Sequence, residues 1–332
     1  MSKAAELAAL IGSQTALSNR NKIINGNFQV WQRGTSSGSV GYRTADRWYL
    51  NTSGATATAS QGTFTDGQTA VPGNPQFYMA LNVTTGNDNC GWQYRIEGTH
   101  EFANDVYTLS FWAKSATPRE MSVRSQSHDL SADAFEDNTV SPTTFTPTSS
   151  WQKFTFKVTH SSMNTLGSFA SGDYTRLIIS QGSDTSTAAW KLDLAQVQLE
   201  KGEQATAFEH RSYGDELARC QRYFYAMNSN TSTGTADFIN ASGYSANQAN
   251  AGIDLPVTMR ATPTQSFGDD TGAYRFYRSG GNDPFDTLAS DSQSNLHLQF
   301  AGIAGLSHTS GVAGSMQIRY ADGGYIHADA EL

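Results

Sequence analysis

The chain has 332 residues and a formal net charge of −8, with 22 Lys and Arg against 30 Asp and Glu. Only 16% of residues are charged, while Ser and Thr make up about a fifth of the chain and aromatics 11%, a composition that leans to strands joined by glycine turns. It excludes several classes: an acidic, charge-poor chain lacks the clustered Lys and Arg that nucleic acid needs, and no apolar run approaches the roughly 20 residues that cross a bilayer. Cys90 and Cys220 match no metal, redox or disulfide spacing, so synthesis in a reducing cytoplasm is expected.

In chain order, residues 4–17 predict a short helix with Leu7, Leu10 and Ile11 on its apolar side. A helix of that length is marginal alone in water, which makes these residues candidates for anchoring or oligomerisation. The N-terminus, MSKAAELAALIGSQTAL, has an apolar stretch broken by Glu6 and lacks the longer apolar region of a signal peptide, so it reads as mature protein. KIINGNFQVWQ predicts a strand, a turn at Asn25-Gly26 and a second strand. FYMALNV, CGWQYRIE, YTLSFWAKS, EMSVRSQS, WQKFTFKVTH, TRLIISQGS and AAWKLDLAQVQLE are short, alternating or aromatic-rich segments separated by Gly, Pro, Asn and Ser. That pattern predicts an antiparallel sandwich with one face of each strand buried.

In YTLSFWAKS the alternation sends Tyr107, Leu109, Phe111 and Ala113 one way and Thr108, Ser110, Trp112 and Lys114 the other. Trp31, Trp151 and Trp190 are placed in the core or at strand starts. The stretch from Lys201 to Tyr225 reads as a connector in which Leu217, Cys220 and Phe224 form a short helical face. Beyond it, further short strands predict a second β region, with YADGGYIHADAEL as a closing hairpin. The expected organisation is therefore an N-terminal helix at 1–19, a sandwich at 20–210 and a C-terminal β domain at 211–332. The expected fold class is all-β.

KIINGNFQVWQRGT followed by YRTADRWYL resembles the opening of tailed-bacteriophage virion proteins of the tail-fibre and receptor-binding type. The positions that carry the resemblance are Ile23 to Gln29, Trp31 to Gly34 and Thr44 to Trp48. YTLSFWAKS and WQKFTFKVT look like paired strands of a jelly-roll module similar to carbohydrate-binding modules. The segment from Trp190 to Tyr225 looks like its last strand and exit, and LPVTMRATPT resembles a strand-turn segment that often follows. Residues after about 270 carry no resemblance.

The resemblance implies a non-enzymatic virion protein made in the host cytoplasm, a homotrimer that joins other phage tail proteins and adheres to host-surface glycans. Sugar-binding modules stack sugar faces on exposed aromatics, which makes Trp48, Tyr49, Trp92, Tyr94 and Trp112 the candidates, Trp112 first because its strand turns it away from Phe111. Modules of this sort often carry a structural calcium, which the resemblance would put near Asn25–Asn27 and Asp193; a hydrogen-bonded Asp193 without metal is the preferred reading, and no metal or other cofactor is assigned. Asp46 beside Arg47 offers a carboxylate–guanidinium pair under Trp48. The acidic stretch around Asp129, Asp133, Glu136 and Asp137 reads as solvated surface. None of the common nucleophile or phosphate motifs is present, and the histidines show no metal spacing. A purely structural tail-tip, nozzle or head-decoration component and a tail-borne glycan hydrolase remain open alternatives at this point.

Overall fold

The computed structural model describes residues 19–52, 54–87, 89–162, 170, 172–182, 186–227, 236–302 and 305–332. The predicted N-terminal helix, with Leu7, Leu10 and Ile11, lies outside the described residues. The chain divides into two compact units, Met1–Glu216 with Leu332, and Leu217–Glu331.

The first unit carries β1 (Ser36–Ser37), β2 (Gly41–Tyr42), β3 (Trp48–Asn51), β4 (Thr56–Thr63), β5 (Phe77–Thr85), β6 (Gly91–Glu97) and β7 (Val106–Lys114). It continues with β8 (Met121–Asp129), β9 (Ala134–Ser141), β10 (Thr144–Phe145), β11 (Gln152–Thr159), β12 (Tyr174–Ser180) and β13 (Trp190–Lys201). Every pairing between these strands is antiparallel. One layer runs β1-β4-β5-β13-β7-β11, the other β8-β12-β6-β3-β2, and β9 joins them. The start of β9 pairs with β8 and its end, Thr139–Ser141, with β11, so the strand turns the corner between layers. Side chains from both layers, among them Leu109, Phe111 and Val158 on one and Trp92, Val123 and Leu177 on the other, form one core. This is a sandwich with the alternation expected of strands buried on one face.

The opening segment departs from the predicted strand-turn-strand. Residues 22–32 form no strand. Asn25 and Phe28 take positive φ, and the Asn25 side chain accepts from Val30 N at 3.0 Å and donates to Val30 O at 2.8 Å and Asp46 O at 3.1 Å. These side-chain bonds give the backbone an alternative to a ladder.

The boundary between the units falls within helix α1 (Tyr213–Gln221), which opens on Ser212, whose hydroxyl accepts from Asp215 N at 3.2 Å and donates to the Asp215 carboxylate at 2.7 Å. The helix ends before Phe224, which starts β14 (Phe224–Met227) and does not extend a helical face. There follow β15 (Ala236–Ser245), β16 (Gln248–Asp254), β17 (Thr264–Phe267), β18 (Tyr274–Arg278), β19 (Gly281–Phe285), β20 (Leu288–Gln293), β21 (His297–Gly302), β22 (Ala313–Arg319) and β23 (Ile326–Asp329). Seven strands form a sheet in the order β19-β18-β22-β15-β16-β21-β20, and β14-β23-β17 form a second. The expected C-terminal hairpin is absent: a 3-10 turn at Tyr320–Asp322 separates β22 from β23, which pairs with β14 and β17 instead. The chain is thus all-β, an antiparallel sandwich followed by a second β unit.

Candidate binding cleft on the outer face of the sandwich

Three of the five predicted sugar platforms are core residues. Trp48, Trp92 and Tyr94 are each 1% exposed. Trp48 packs edge-on against Tyr94 at 5.0 Å and tilted against Phe28 at 5.1 Å. The Tyr94 hydroxyl accepts from Ile24 N at 2.7 Å and donates to Ile24 O at 3.1 Å, which ties the opening segment to the core. These rings are inward because β3 and β6 alternate like β7: Trp48 and Leu50, and Trp92, Tyr94 and Ile96, share the buried face. Tyr49, between them, is half-buried on the other face.

Trp112 is the exception. Tyr107, Leu109, Phe111 and Ala113 are buried in the core, and Trp112 stands half-buried on the opposite face, opposite Lys153 on β11 and Ala195 on β13. Just beyond Ala195 the register of β13 slips, and Gln196 takes a φ of 49°. This bulge has an identifiable partner. Val197 N donates to Gly26 O at 2.9 Å, and a Cβ on Gly26 would stand 2.1 Å from Val197 O. The Asn25-Gly26 turn therefore docks directly on the bulge.

The bulge aims Gln196 across the sheet, where its Nε2 donates to Pro72 O at 2.6 Å and holds residues 72–73 as one wall. The opposite wall is the exit segment. Buried Glu200 accepts from Thr206 N at 2.8 Å and from its hydroxyl at 2.7 Å, Lys153 Nζ donates to Thr206 O at 3.0 Å, and Gln198 Oε1 accepts from Glu209 N at 2.8 Å. Phe208 and His210 are thereby set in edge contact at 5.2 Å. Gly73, with a φ of 77°, passes so close to His210 that a Cβ would lie 2.6 Å from Nε2. The walls, with Ser110 and Trp112 as floor, enclose a cleft of about 330 Å³.

Beside the cleft, Lys114 lies 5.2 Å from the Tyr78 ring and 5.0 Å from the Trp151 ring, and Phe64 packs against both rings. Lys114 Nζ is 3.4 Å from Asp193, whose carboxyl is nonetheless pushed above its ordinary value because burial outweighs the lysine. Asp193 is thus engaged by Lys114 and the Asn25 amide by backbone groups. Among the described residues, no group of three or more His, Cys, Asp or Glu is placed to hold a metal ion. Asp46 accepts from Gln32 N at 3.0 Å, while Arg47 donates to Arg95 O at 2.6 Å and lies over the Tyr94 ring. The acidic stretch runs from the end of β8 through the connection into β9; against the expected solvated surface, Asp129 is buried, where it caps the turn by accepting from Ser131 N, the Ser131 hydroxyl and Ala132 N.

No lining residue of the cleft is an Asp or Glu, whereas glycoside hydrolysis of the common kind needs a carboxyl pair flanking the bond. The cleft offers an aromatic floor and wall, an amide, a hydroxyl and a cationic rim, a set suited to holding a sugar by its face and hydroxyls. Sequence reasoning missed Phe208, His210 and Gln196, which lie in an irregular segment and a bulge where strand alternation says nothing.

No family model matches the chain, and no curated protein matches it. Solved structures do resemble it. The CBM22-1 xylan-binding domain of Paenibacillus barcinonensis Xyn10C matches with a TM-score of 0.31 and 14% identity over 52% of this chain and 94% of that one. The N-terminal cellulose-binding domain of Cellulomonas fimi beta-1,4-glucanase C matches with a TM-score of 0.31 and 18% identity over 52% of this chain and 98% of its own. The enzymatically active domain of bacteriophage CBA120 tailspike protein 4 matches with a TM-score of 0.32 and 10% identity over 55% of this chain and 22% of that one. At these identities and scores the likenesses carry no residue-by-residue correspondence.

Proposed function

We propose that the chain is a non-catalytic subunit of a tailed-phage appendage, of the tail-fibre type, that adheres to host-surface glycans through the cleft over Trp112. The observation that carries the reading is the cleft itself: an aromatic floor and wall with polar groups at its edge, and no carboxylate in its lining. The phage attribution rests on the resemblance of the Ile23–Trp48 segment and of the exit after Trp190. On this reading the protein is made in the host cytoplasm, assembles as a homotrimer with other tail proteins and is carried in the virion. Repetition of one weak cleft across copies supplies avidity.

The burial of Trp48, Trp92 and Tyr94 favours one alternative, a purely structural tail component, because it removes the broad aromatic platform and leaves a single cleft. Binding of the labelled full chain to bacterial cells, in competition with polysaccharide extracted from those cells, separates the two. Adhesion requires saturable, competed binding that Trp112→Ala weakens without lowering the melting temperature. Absence of competed binding, or equal binding by the variant, favours the structural component.

A further inference from the structure

The other layer of the sandwich carries a feature that the cleft does not use. On the outward face of β6, β12 and β8, three arginines gather: Arg176 stands directly opposite Arg95, and Arg124 lies diagonally across on β8, opposite Ile178. Neither Arg124 nor Arg176 forms an ion pair with an Asp or Glu among the described residues, although the Asp137 charge acts on Arg176. Arg176 gives Nε and Nη2 to the Gln126 side-chain oxygen, at 2.8 and 2.5 Å. Arg124 donates to the Asn89 side chain and Arg95 to an oxygen of the C-terminal residue, Leu332. Two acids share the face: Asp137, which accepts from Gln126 at 2.7 Å, and Glu97, opposite Tyr174 at the end of β6.

Like charges set opposite one another on paired strands are destabilising, and Arg176 registers this: burial first, then Arg95 and Arg124, pull its guanidinium below its ordinary value against the opposing effect of Tyr174 and Asp137. The side chains are nonetheless fixed. Arg176 lies 3.9 Å over the ring of Phe135, which is 42% exposed, and Arg95 lies between Tyr49 and Tyr174 at 5.1 and 4.9 Å. Stacking holds a guanidinium by its face and leaves its planar edge to an oxyanion. Neutral amide partners orient the Arg124 and Arg176 forks, with Asp137 as the acid beside Arg176.

We propose that this face binds an acidic saccharide, its carboxylate or sulfate held between Arg124 and Arg176, with Phe135 and His128 backing the Arg176 guanidinium. An acidic sugar fits better than nucleic acid, whose binding draws on an extended basic surface, because the basic patch is local and the chain as a whole is acidic. The site is separate from the Trp112 cleft and does not rest on the reading given to it.

Electrophoresis of the full chain through gels containing polygalacturonate, dextran sulfate or neutral dextran tests the proposal. The expected result is retardation by at least one acidic polymer and none by dextran, weakened about tenfold by Arg124→Gln with Arg176→Gln and lessened by salt. Which polymer retards the chain distinguishes carboxylate from sulfate. Should the double variant melt early, Arg124→Gln alone serves, since Arg124 is exposed. No retardation by either acidic polymer, retardation unchanged in the variants, or loss through Trp112→Ala alone overturns the proposal.

Discussion

The backbone N–H of Asn25 donates to the buried carboxylate of Glu216 at 2.5 Å, across 191 residues of sequence. Arg211 completes the clasp: its guanidinium donates to Ile23 O at 3.0 Å and to Asn21 O, and lies 3.5 Å from Glu216 and 3.4 Å from Glu209. Glu209 in turn accepts from Asn19 N and Asn21 N, both at 2.7 Å. The opening and exit segments are thus locked together, and the exit segment carries Phe208 and His210 to the cleft. Glu216→Ala leaves Asn25 N and Arg211 short of a partner in a buried place, which costs about 1–3 kcal/mol. Urea denaturation of the variant is expected to show a lower midpoint with an unchanged slope.

Gly26 is the second point of that lock. A methyl group there meets Val197 O at 2.1 Å, a contact that only a backbone shift relieves. Gly26→Ala is therefore expected to destabilise by about 2–4 kcal/mol and to open the β13 bulge. Thermal melting reads the first effect, and faster hydrogen exchange at Val197 N the second.

His160 makes the sandwich sensitive to acid. Its ring is buried between Phe102 and Tyr107, at 5.0 and 5.3 Å, and burial pushes its pKa down from 6.5 to about 4. The unfolded chain takes up this proton below pH 6.5 while the folded chain stays neutral, so stability is lost as pH falls from 6.5 towards 4. At pH 5 the loss from this residue is about 2 kcal/mol. Denaturation at pH 7.5 and pH 5 measures it, and His160→Phe should flatten the difference by that amount.

Trp151 and Phe111 should part company on truncation. Phe111 is fully buried and stacked on Phe156 at 5.4 Å, so Phe111→Ala costs about 3–5 kcal/mol. Trp151, half-buried just before β11 among Phe64, Tyr78 and Lys114, loses less, about 1–2 kcal/mol for the exposed-side packing. Paired urea curves give the comparison directly.

Assembly offers a test of the phage reading. A homotrimer has three times the 35.9 kDa of the chain, and with Leu7, Leu10 and Ile11 as its contacts, removal of residues 1–18 should dissociate it. Sedimentation equilibrium at micromolar concentration measures both. A stable monomer before and after removal would contradict the trimer and the role given to those residues.

Strand alternation carried most of what the sequence makes legible. It separates Phe111 from Trp112 correctly, and the same rule applied to β6, where Gln93, Arg95 and Glu97 alternate with Trp92, Tyr94 and Ile96, places Trp92 and Tyr94 in the core. Their aromatic character, taken without that period, pointed the wrong way. Asn25-Gly26 was legible as a positive-φ turn, but its ladder was not to be inferred, because the Asn25 side chain reaches Asp46, 21 residues away. Gln196 reaches its wall through a contact with Pro72, 124 residues away, and the bonds that set Phe208 and His210, Glu200 with Thr206 and Gln198 with Glu209, lie in an irregular segment that strand alternation does not describe.

The most direct test of the account is a calorimetric titration of the full chain and of Trp112→Ala with oligosaccharides released from the surface glycan of a bacterium to which the chain adheres. The account predicts saturable binding that the substitution weakens by about two- to tenfold, an aromatic stacking contact being worth roughly 0.5–1.5 kcal/mol, with an unchanged melting curve. Equal affinity in the two proteins would contradict it, since the floor of the cleft would then take no part in recognition.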